Sequence, residues 1–322
     1  MLFVSIIIPA WNEARSLKAS FEALSGVDYE RDKIELIIVA GGEDNTYEIA
    51  TQLTEATDLF ARRVVLPQGR KRTKNAAIQQ GIREANNPVI VLLDADTIVS
   101  AQWLRSLVAP IESGDCDMTI ANSEPVNRNW VADYFMIVKT YFLEEITTYP
   151  GHSIAFKADM VKSRINYFFD VDTWMGDDYV LESRAIKAGK RVTFVKEATV
   201  KTHFPCSLRY FMKIEAKWLT AYIEMNGVSW GTLIKSSLLI GSLICLFPFS
   251  SCLFLGSLLV QSCYVTKRTF IFLSAARVYR TRLCRLFGFV FLSYIYHTLQ
   301  LVAYARYFLG LSADTYYQGQ RY

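Results

Sequence analysis

The chain changes character once, and that change limits what it can fold into. Up to about Asn226 it mixes apolar, polar and charged residues as an ordinary soluble α/β protein does. Beyond Ser229 it is almost continuously apolar, with basic interruptions. In 322 residues, this division predicts one large globular domain over residues 1–228 and a C-terminal helical membrane region over 229–322.

The membrane region divides further. Its first apolar block, residues 232–265, would be about 50 Å long as one helix, longer than the ~30 Å hydrocarbon core. Pro248 lies at its middle and Lys235 near its start. A helical hairpin broken near Pro248–Ser251 therefore competes with one tilted helix, and the hairpin is the expectation adopted because it returns the chain to the side where the next stretch belongs. That stretch, residues 266–285, carries Lys267, Arg268, Arg277, Arg280, Arg282 and Arg285 without one Asp or Glu. Basic segments beside apolar runs favour the cytoplasmic side of a bilayer. The third segment, residues 286–311, is rich in Tyr and Phe and carries His297, Gln300 and Arg306, so it crosses the membrane or lies at its interface. The expected location is thus the membrane, by a hairpin or several passes, with the globular domain on the cytoplasmic side and membrane lipids as partners.

The six cysteines show no metal-ligand or redox spacing and read as small apolar residues in a reducing compartment. The opening run to Ala10 lacks a basic start and is cut by Pro9 and Glu13, so it is expected as a buried strand and not a secretory leader.

The globular part alternates strand and helix. Val4–Ile8, Ile34–Val39, Arg63–Leu66 and Val89–Leu93 read as short strands. Between them, Leu17–Leu24 (with Asn12 as its cap), Thr46–Leu53 and Lys74–Ala85 read as helices. This is the pattern of a parallel sheet covered by helices, in which ligands bind at the carboxyl ends of the strands. Pro9, Ala10, Asn12 and Glu13, then Gly41 to Asn45, then Asp94 to Asp96 all fall at such ends. Three polar clusters distant in sequence are expected to meet in one crevice. Further on, Trp130–Thr147 reads as an amphipathic helix, His152–Phe156 as a strand, Asp177–Ala188 as a helix, and Arg191–Val195 and Ala198–Thr202 as strands.

Asp94-Ala95-Asp96 follows a buried strand, where two carboxylates can hold Mg²⁺ or Mn²⁺ and leave positions for diphosphate oxygens. Such a divalent metal offsets charge on a leaving nucleoside diphosphate. Asp177 and Asp178 open a helix; they are either caps that suit its dipole or the place of a general base. The basic loop from Gly69 through Arg70 to Lys74 and Asn75 suits a phosphate, or is a solvated charge run. His203 is a third metal ligand or a surface histidine. His152, Lys217 and Trp218 are candidates for an acceptor pocket, with plain packing the alternative. No nucleic-acid module is present, and the membrane tail argues against that partner.

Taken in order, these pieces resemble the family-2 glycosyltransferases. The resemblance rests on Ser5-Ile6-Ile7-Ile8-Pro9-Ala10-Trp11-Asn12-Glu13, on Gly69-Arg70-Lys71 through Asn75 and Gly81, and on Leu93-Asp94-Ala95-Asp96. Gly176-Asp177-Asp178-Tyr179-Val180-Leu181 and His203 with Pro205 complete it, over about residues 3–218. It implies a GT-A nucleotide-sugar-binding, Rossmann-like fold, a cytosolic nucleotide-sugar donor and inversion at the anomeric carbon. By matching, Asp178 is the base, and Asp96 is the main metal ligand, assisted by Asp94 and His203. Ala10 and Glu13 lie near the nucleoside. The tail resembles that of members that build exopolysaccharides or lipid-linked glycans.

Three departures qualify the match. Ala40-Gly41-Gly42-Glu43-Asp44 stands where many members have Asp-Asp-Gly-Ser, so Asp44 or Glu43 takes the place of the usual base-contacting Asp. Asp177 stands where Glu is common. The Gln-x-x-Arg-Trp of processive polymerases is reduced to Ile214-Glu215-Ala216-Lys217-Trp218, which argues for a single addition. The reading adopted is transfer to a hydroxyl of a lipid-linked or glycan acceptor. A polyprenyl-phosphate glycosyl synthase, a non-catalytic membrane subunit and a nucleotidyltransferase are its rivals.

Overall fold

The computed structural model describes the chain except residues 69–73, 139–150, 172–176, 245–250, 280–282 and 312–322. The chain runs β1 (Val4–Trp11), α1 (Leu17–Ser25), β2 (Ile34–Gly41), α2 (Thr46–Glu55), β3 (Arg62–Pro67), α3 (Lys74–Glu84) and β4 (Val89–Leu93). It continues through β5 (Ile98–Val99), α4 (Trp103–Glu112), β6 (Met118–Pro125), α5 (Trp130–Met136), β7 (Ser153–Lys157), α6 (Ala158–Lys162), α7 (Ile165–Phe168), α8 (Asp177–Lys187) and β8 (Val192–Thr202). Four long helices follow: α9 (Leu208–Asn226), α10 (Trp230–Ile244), α11 (Ser251–Tyr279) and α12 (Leu286–Phe308). The chain forms two compact units, Met1–Val126 with Phe142–His203, and Asn127–Tyr141 with Phe204–Tyr322.

The first unit is built on an eight-stranded sheet in the order β3-β2-β1-β4-β7-β6-β8-β5. β3, β2, β1 and β4 are parallel neighbours. β2, β1 and β4 are buried on both faces, which is why they read as largely apolar runs, while β3 at the edge is only half-buried. On one face Ile6, Ile8, Leu36 and Ile38 pack with Leu17, Phe21 and Leu24 of α1 and Trp103, Leu104 and Leu107 of α4. On the other, Ile7, Ile37 and Val39 pack with Ala77, Ile78 and Ile82 of α3 and Leu181 and Ala185 of α8.

The sheet is mixed, not simply parallel as the alternation of elements predicts. β7 runs antiparallel to both β4 and β6, a direction fixed by pairing with strands distant in sequence and not by the local alternation. The two strands expected at 191–195 and 198–202 are one, β8, with a register shift opposite Ala121 and Asn122 of β6. Asn12 does not cap α1: it has a positive φ of 59°, and Ser16 stands at the cap position.

The second unit is helical. α12 packs against α5, α9, α10 and α11. Its core is aromatic, with Tyr134 ring centroids 5.4 Å from Phe211 and 5.3 Å from Phe289. The Asp133 carboxylate on α5 is 2 % exposed and accepts from Arg285, just before α12, and from Arg128. α10 and α11 are joined where Gln261 donates to the Leu239 carbonyl and to Ser242. The break expected at Pro248–Ser251 lies mostly outside the described residues; helices flank it on both sides. The basic stretch is not a separate element over its whole length, because α11 continues through Lys267 and Arg268 to Tyr279. The helix expected over Trp130–Thr147 is described only as α5 and the turn after it. Among the described residues one helix, α12, is long and apolar enough to cross a membrane.

Candidate active site

The strand order defines where a ligand can enter. From β1 the chain passes outward to β2 and β3, then returns to place β4 on the other side of β1. The switch between β1 and β4 opens a crevice at the carboxyl ends of those strands. A cavity of about 310 Å³ lies there, lined by Pro9, Ala10 and Trp11 at the end of β1 and Glu13 after it, Gln68 after β3, Lys74 and Ala77 of α3, and Asp94, Ala95 and Asp96 after β4. The structure therefore brings together Pro9, Ala10, Glu13, Lys74, Asp94 and Asp96 of the residues expected from sequence. Gln68, buried in the chain, was not among them; its place just past a strand end was the available signal.

The charges in this cavity are crowded. The lining holds the carboxylates of Glu13, Asp94 and Asp96 against the ammonium of Lys74. Lys74 Nζ lies 2.6 Å from Asp94 Oδ1. Burial raises the Glu13 carboxyl above its ordinary value; a hydrogen bond from the Ser16 hydroxyl opposes this, and the charges of Asp96, Asp94 and Asp44 push it further up. Asp96 Oδ2 accepts from the Thr202 hydroxyl at 3.4 Å. Two aspartates at a strand end with a surplus of negative charge suit a hard divalent cation that completes its shell with ligand oxygens.

The third metal ligand expected from sequence is not gathered with them. His203 is exposed, and among the described residues no three His, Cys, Asp or Glu side chains form a metal-holding group. β8 delivers Thr202 toward Asp96, and His203, the next residue, falls past the end of the strand.

Asn12, Gly41 and Asp44 do not line the cavity; they tie its rim. Asn12 N–H donates to the Gly41 carbonyl at 3.1 Å, and Asn12 Oδ1 accepts from Glu43 N–H at 2.7 Å. Gly42 has φ +128°, and a Cβ there would meet Asn12 Oδ1 at 2.2 Å, so only glycine fits. Asp44 accepts from Ala14 N–H at 3.1 Å and from the Thr46 hydroxyl at 2.5 Å, while Thr46 Oγ1 accepts from Glu13 N–H at 2.7 Å. Burial would raise the Asp44 carboxyl, but the hydrogen bonds from Thr46 and Ala14 outweigh it and hold it low. Asn75 is buried, and its amide donates to the Asp170 carbonyl at 2.8 Å.

Asp178 lies in the first turn of α8. Its Oδ2 accepts from Gly151 N–H at 3.1 Å, and the adjacent His152 carbonyl accepts from Asp94 N–H at 3.0 Å. The Gly151-His152 pair therefore bonds to both acidic motifs. His152 Nδ1 lies 2.9 Å from Ser123 Oγ. Arg70 and the side chain of Asp177 lie outside the described residues. Lys217 and Trp218 belong to the second unit, on α9. Trp218 packs on Phe135, and burial, with Lys213 nearby, pulls the Lys217 ammonium down to about 8.

Comparison with known proteins places this geometry. The family described as Glycosyl transferase family 2 matches residues 5–159, and that described as Glycosyl transferase family group 2 matches residues 89–309. Glycosyltransferase AglE of Haloferax volcanii is 32% identical over 123 residues, 38% of this chain and 40% of its own length. The probable glycosyltransferase YdaM of Bacillus subtilis is 21% identical over 229 residues, 67% of this chain and 54% of its own length. The chain thus spans about half the length of the curated relatives it matches. In fold it is similar to the mannosyltransferase PcManGT of Pyrobaculum calidifontis, solved with GDP-Man and Mn²⁺, with a TM-score of 0.61 and 15% identity over 95% of this chain and 86% of that one. It is also similar to residues 1–349 of TarS from S. aureus, solved with UDP-GlcNAc, with a TM-score of 0.51 and 14% identity over 99% of this chain and 93% of that one. At these identities the likeness to solved structures is one of fold.

Proposed function

The chain belongs to the family-2 glycosyltransferases, and on that premise we propose that it transfers one sugar, with inversion, from a nucleotide-sugar to a hydroxyl of a lipid-linked or glycan acceptor. The observation that carries this reading is the cavity at the switch between β1 and β4, where Glu13, Lys74, Asp94 and Asp96 converge. It is supported by the nucleotide-sugars held by proteins of similar fold.

Asp94 and Asp96 are the residues to hold a divalent cation, Mg²⁺ or Mn²⁺. When bound, the cation supplies Lewis-acid stabilisation of the diphosphate that leaves. Lys74 gives a second positive charge to the same group. Pro9, Ala10 and Trp11 shape the wall along which the nucleotide lies, and Glu13 stands at its charged end.

Asp178 is the general base. As the acceptor oxygen approaches the anomeric carbon, its proton passes to the carboxylate. The new carbon–oxygen bond forms on the face opposite the breaking bond to phosphate, through an oxocarbenium-like transition state. The nucleoside diphosphate leaves with the bonding electrons. The Gly151 N–H bond orients Asp178 for this task.

α12 crosses the bilayer, with the site on the cytoplasmic side where nucleotide-sugars are made. Phe287 at 83 % exposure and Leu309 at 73 %, near its two ends, support a lipid surround.

The test uses purified protein in detergent with Mn²⁺ or Mg²⁺ and a panel of nucleotide-sugars, with and without a lipid extract. The expected result is metal-dependent release of nucleoside diphosphate from one donor, stimulated by lipid. Failure of every donor to bind would remove the reading.

A further inference from the structure

We infer that Gly151 is a positioning residue for Asp178, and that the absence of a side chain at 151 sets where the base stands. The inference rests on the proposed role of Asp178.

Two independent features meet at this residue. Gly151 N–H donates to Asp178 Oδ2 at 3.1 Å, and Tyr179 N–H donates to Asp178 Oδ1 at 2.8 Å. Each carboxylate oxygen thus has a backbone donor, which fixes the plane of the group. The second feature is steric. A Cβ at residue 151 would lie 2.1 Å from Asp178 Cβ and 3.1 Å from both its Cγ and Oδ2. All three nearest atoms belong to the one side chain, so any larger residue displaces Asp178 before it disturbs anything else. Close approach to Asp178 is what calls for glycine here.

The connection also reaches the donor side. The next residue, His152, accepts from Asp94 N–H through its carbonyl at 3.0 Å. His152 directly precedes β7, whose register against β4 pairs Ser153 with Leu93. The position of the base is therefore referenced to β4, which leads directly into Asp94, and through it to the diphosphate. This supplies a rigid ruler between the group that takes the proton and the group that holds the leaving diphosphate. A misplacement of about 1 Å in such a constellation lowers turnover by about 100-fold.

The experiment is a double-variant cycle on the full chain in detergent. Gly151→Ala is expected to lower kcat at least 30-fold with the donor KM changed less than threefold. In the Asp178→Asn background, Gly151→Ala is expected to cause no further loss, because a residue acting only through Asp178 has nothing left to act on. Thermal stability gives a readout independent of activity. Gly151→Ala is expected to lower Tm, and Asp178→Gly in the same chain to restore it, since the three nearest conflicts are all with that side chain. Retained kcat in Gly151→Ala, an additive loss in the Asp178→Asn background, or a Tm that Asp178→Gly does not rescue would each overturn the inference. A wild-type chain that binds no nucleotide-sugar fails the functional reading instead, and the stability cycle still decides the contact.

Discussion

Lys74, the first residue of α3, holds its ammonium 2.6 Å from the carboxylate of Asp94, which directly follows β4. Both side chains are partly exposed, at 38 % and 23 %, so the pair contributes on the order of 1 kcal/mol or less to stability. In the proposed function its value lies in ligand binding, with Asp94 assigned to the cation and Lys74 to the phosphate oxygens of a metal–diphosphate.

Lys74→Met is accordingly expected to raise the donor KM about 10–100-fold, the loss of one charge-assisted contact to the diphosphate. Thermal stability is expected to stay within about 1 kcal/mol of wild type. Steady-state kinetics and a melting curve of the same preparation check both parts.

Asp178→Asn preserves shape and removes the carboxylate proposed as the base. Transfer is expected to fall by about 10²–10⁴-fold, while nucleoside diphosphate binding measured by calorimetry stays within twofold. Full transfer by this variant removes Asp178 from its role.

A structural network at the opposite end of the sheet sets acid stability. Glu35 is 3 % exposed and accepts from Ser5, Arg62 and the Asn86 side chain and N–H. Burial would raise its carboxyl, but these hydrogen bonds outweigh it and hold it below the ordinary value. A depressed folded-state pKa means the contribution is complete above the unfolded-state pKa of about 4.3. It is lost as pH falls through the folded-state value. Glu35→Gln is expected to cost about 2 kcal/mol at pH 7. The gap between variant and wild type should narrow below about pH 4, as melting curves from pH 7 to 3 will read.

In the second unit, Asp133 is buried between Arg285 and Arg128. Asp133→Ala leaves two guanidinium groups without their shared acceptor and is expected to cost about 2 kcal/mol. The loss appears as a lower Tm in detergent. Arg285→Lys is expected to keep part of it, because an ammonium restores the charge without the planar fork.

How much of this was legible in the sequence depends on which residues are asked. β1, β2 and β4 stand out because burial on both faces demands unbroken apolar runs, and the acids after β1 and β4 could be placed in one crevice from strand order alone. β6 was hidden by its polar Asn122, Ser123 and Glu124, and the antiparallel course of β7 is set by tertiary pairing that no local pattern records. Asp44 and Asn12 looked like ligand contacts, yet they hold one another's loops, since a carboxylate or amide at a strand end serves either purpose equally well. Gln68 and Gly151 went unnoticed because their roles come from proximity: one lines a cavity across three strands, and the other leaves room for Asp178.

The crevice between β1 and β4 is proposed to bind a metal–nucleotide-sugar through Asp96. The direct measurement is nucleoside diphosphate release by wild type and Asp96→Ala over a Mn²⁺ titration with the preferred donor. Wild type is expected to show saturable Mn²⁺-dependent release, and Asp96→Ala a rate lower by about 100-fold or more with a weakened Mn²⁺ response. Equal rates and identical Mn²⁺ dependence in the two proteins would contradict it.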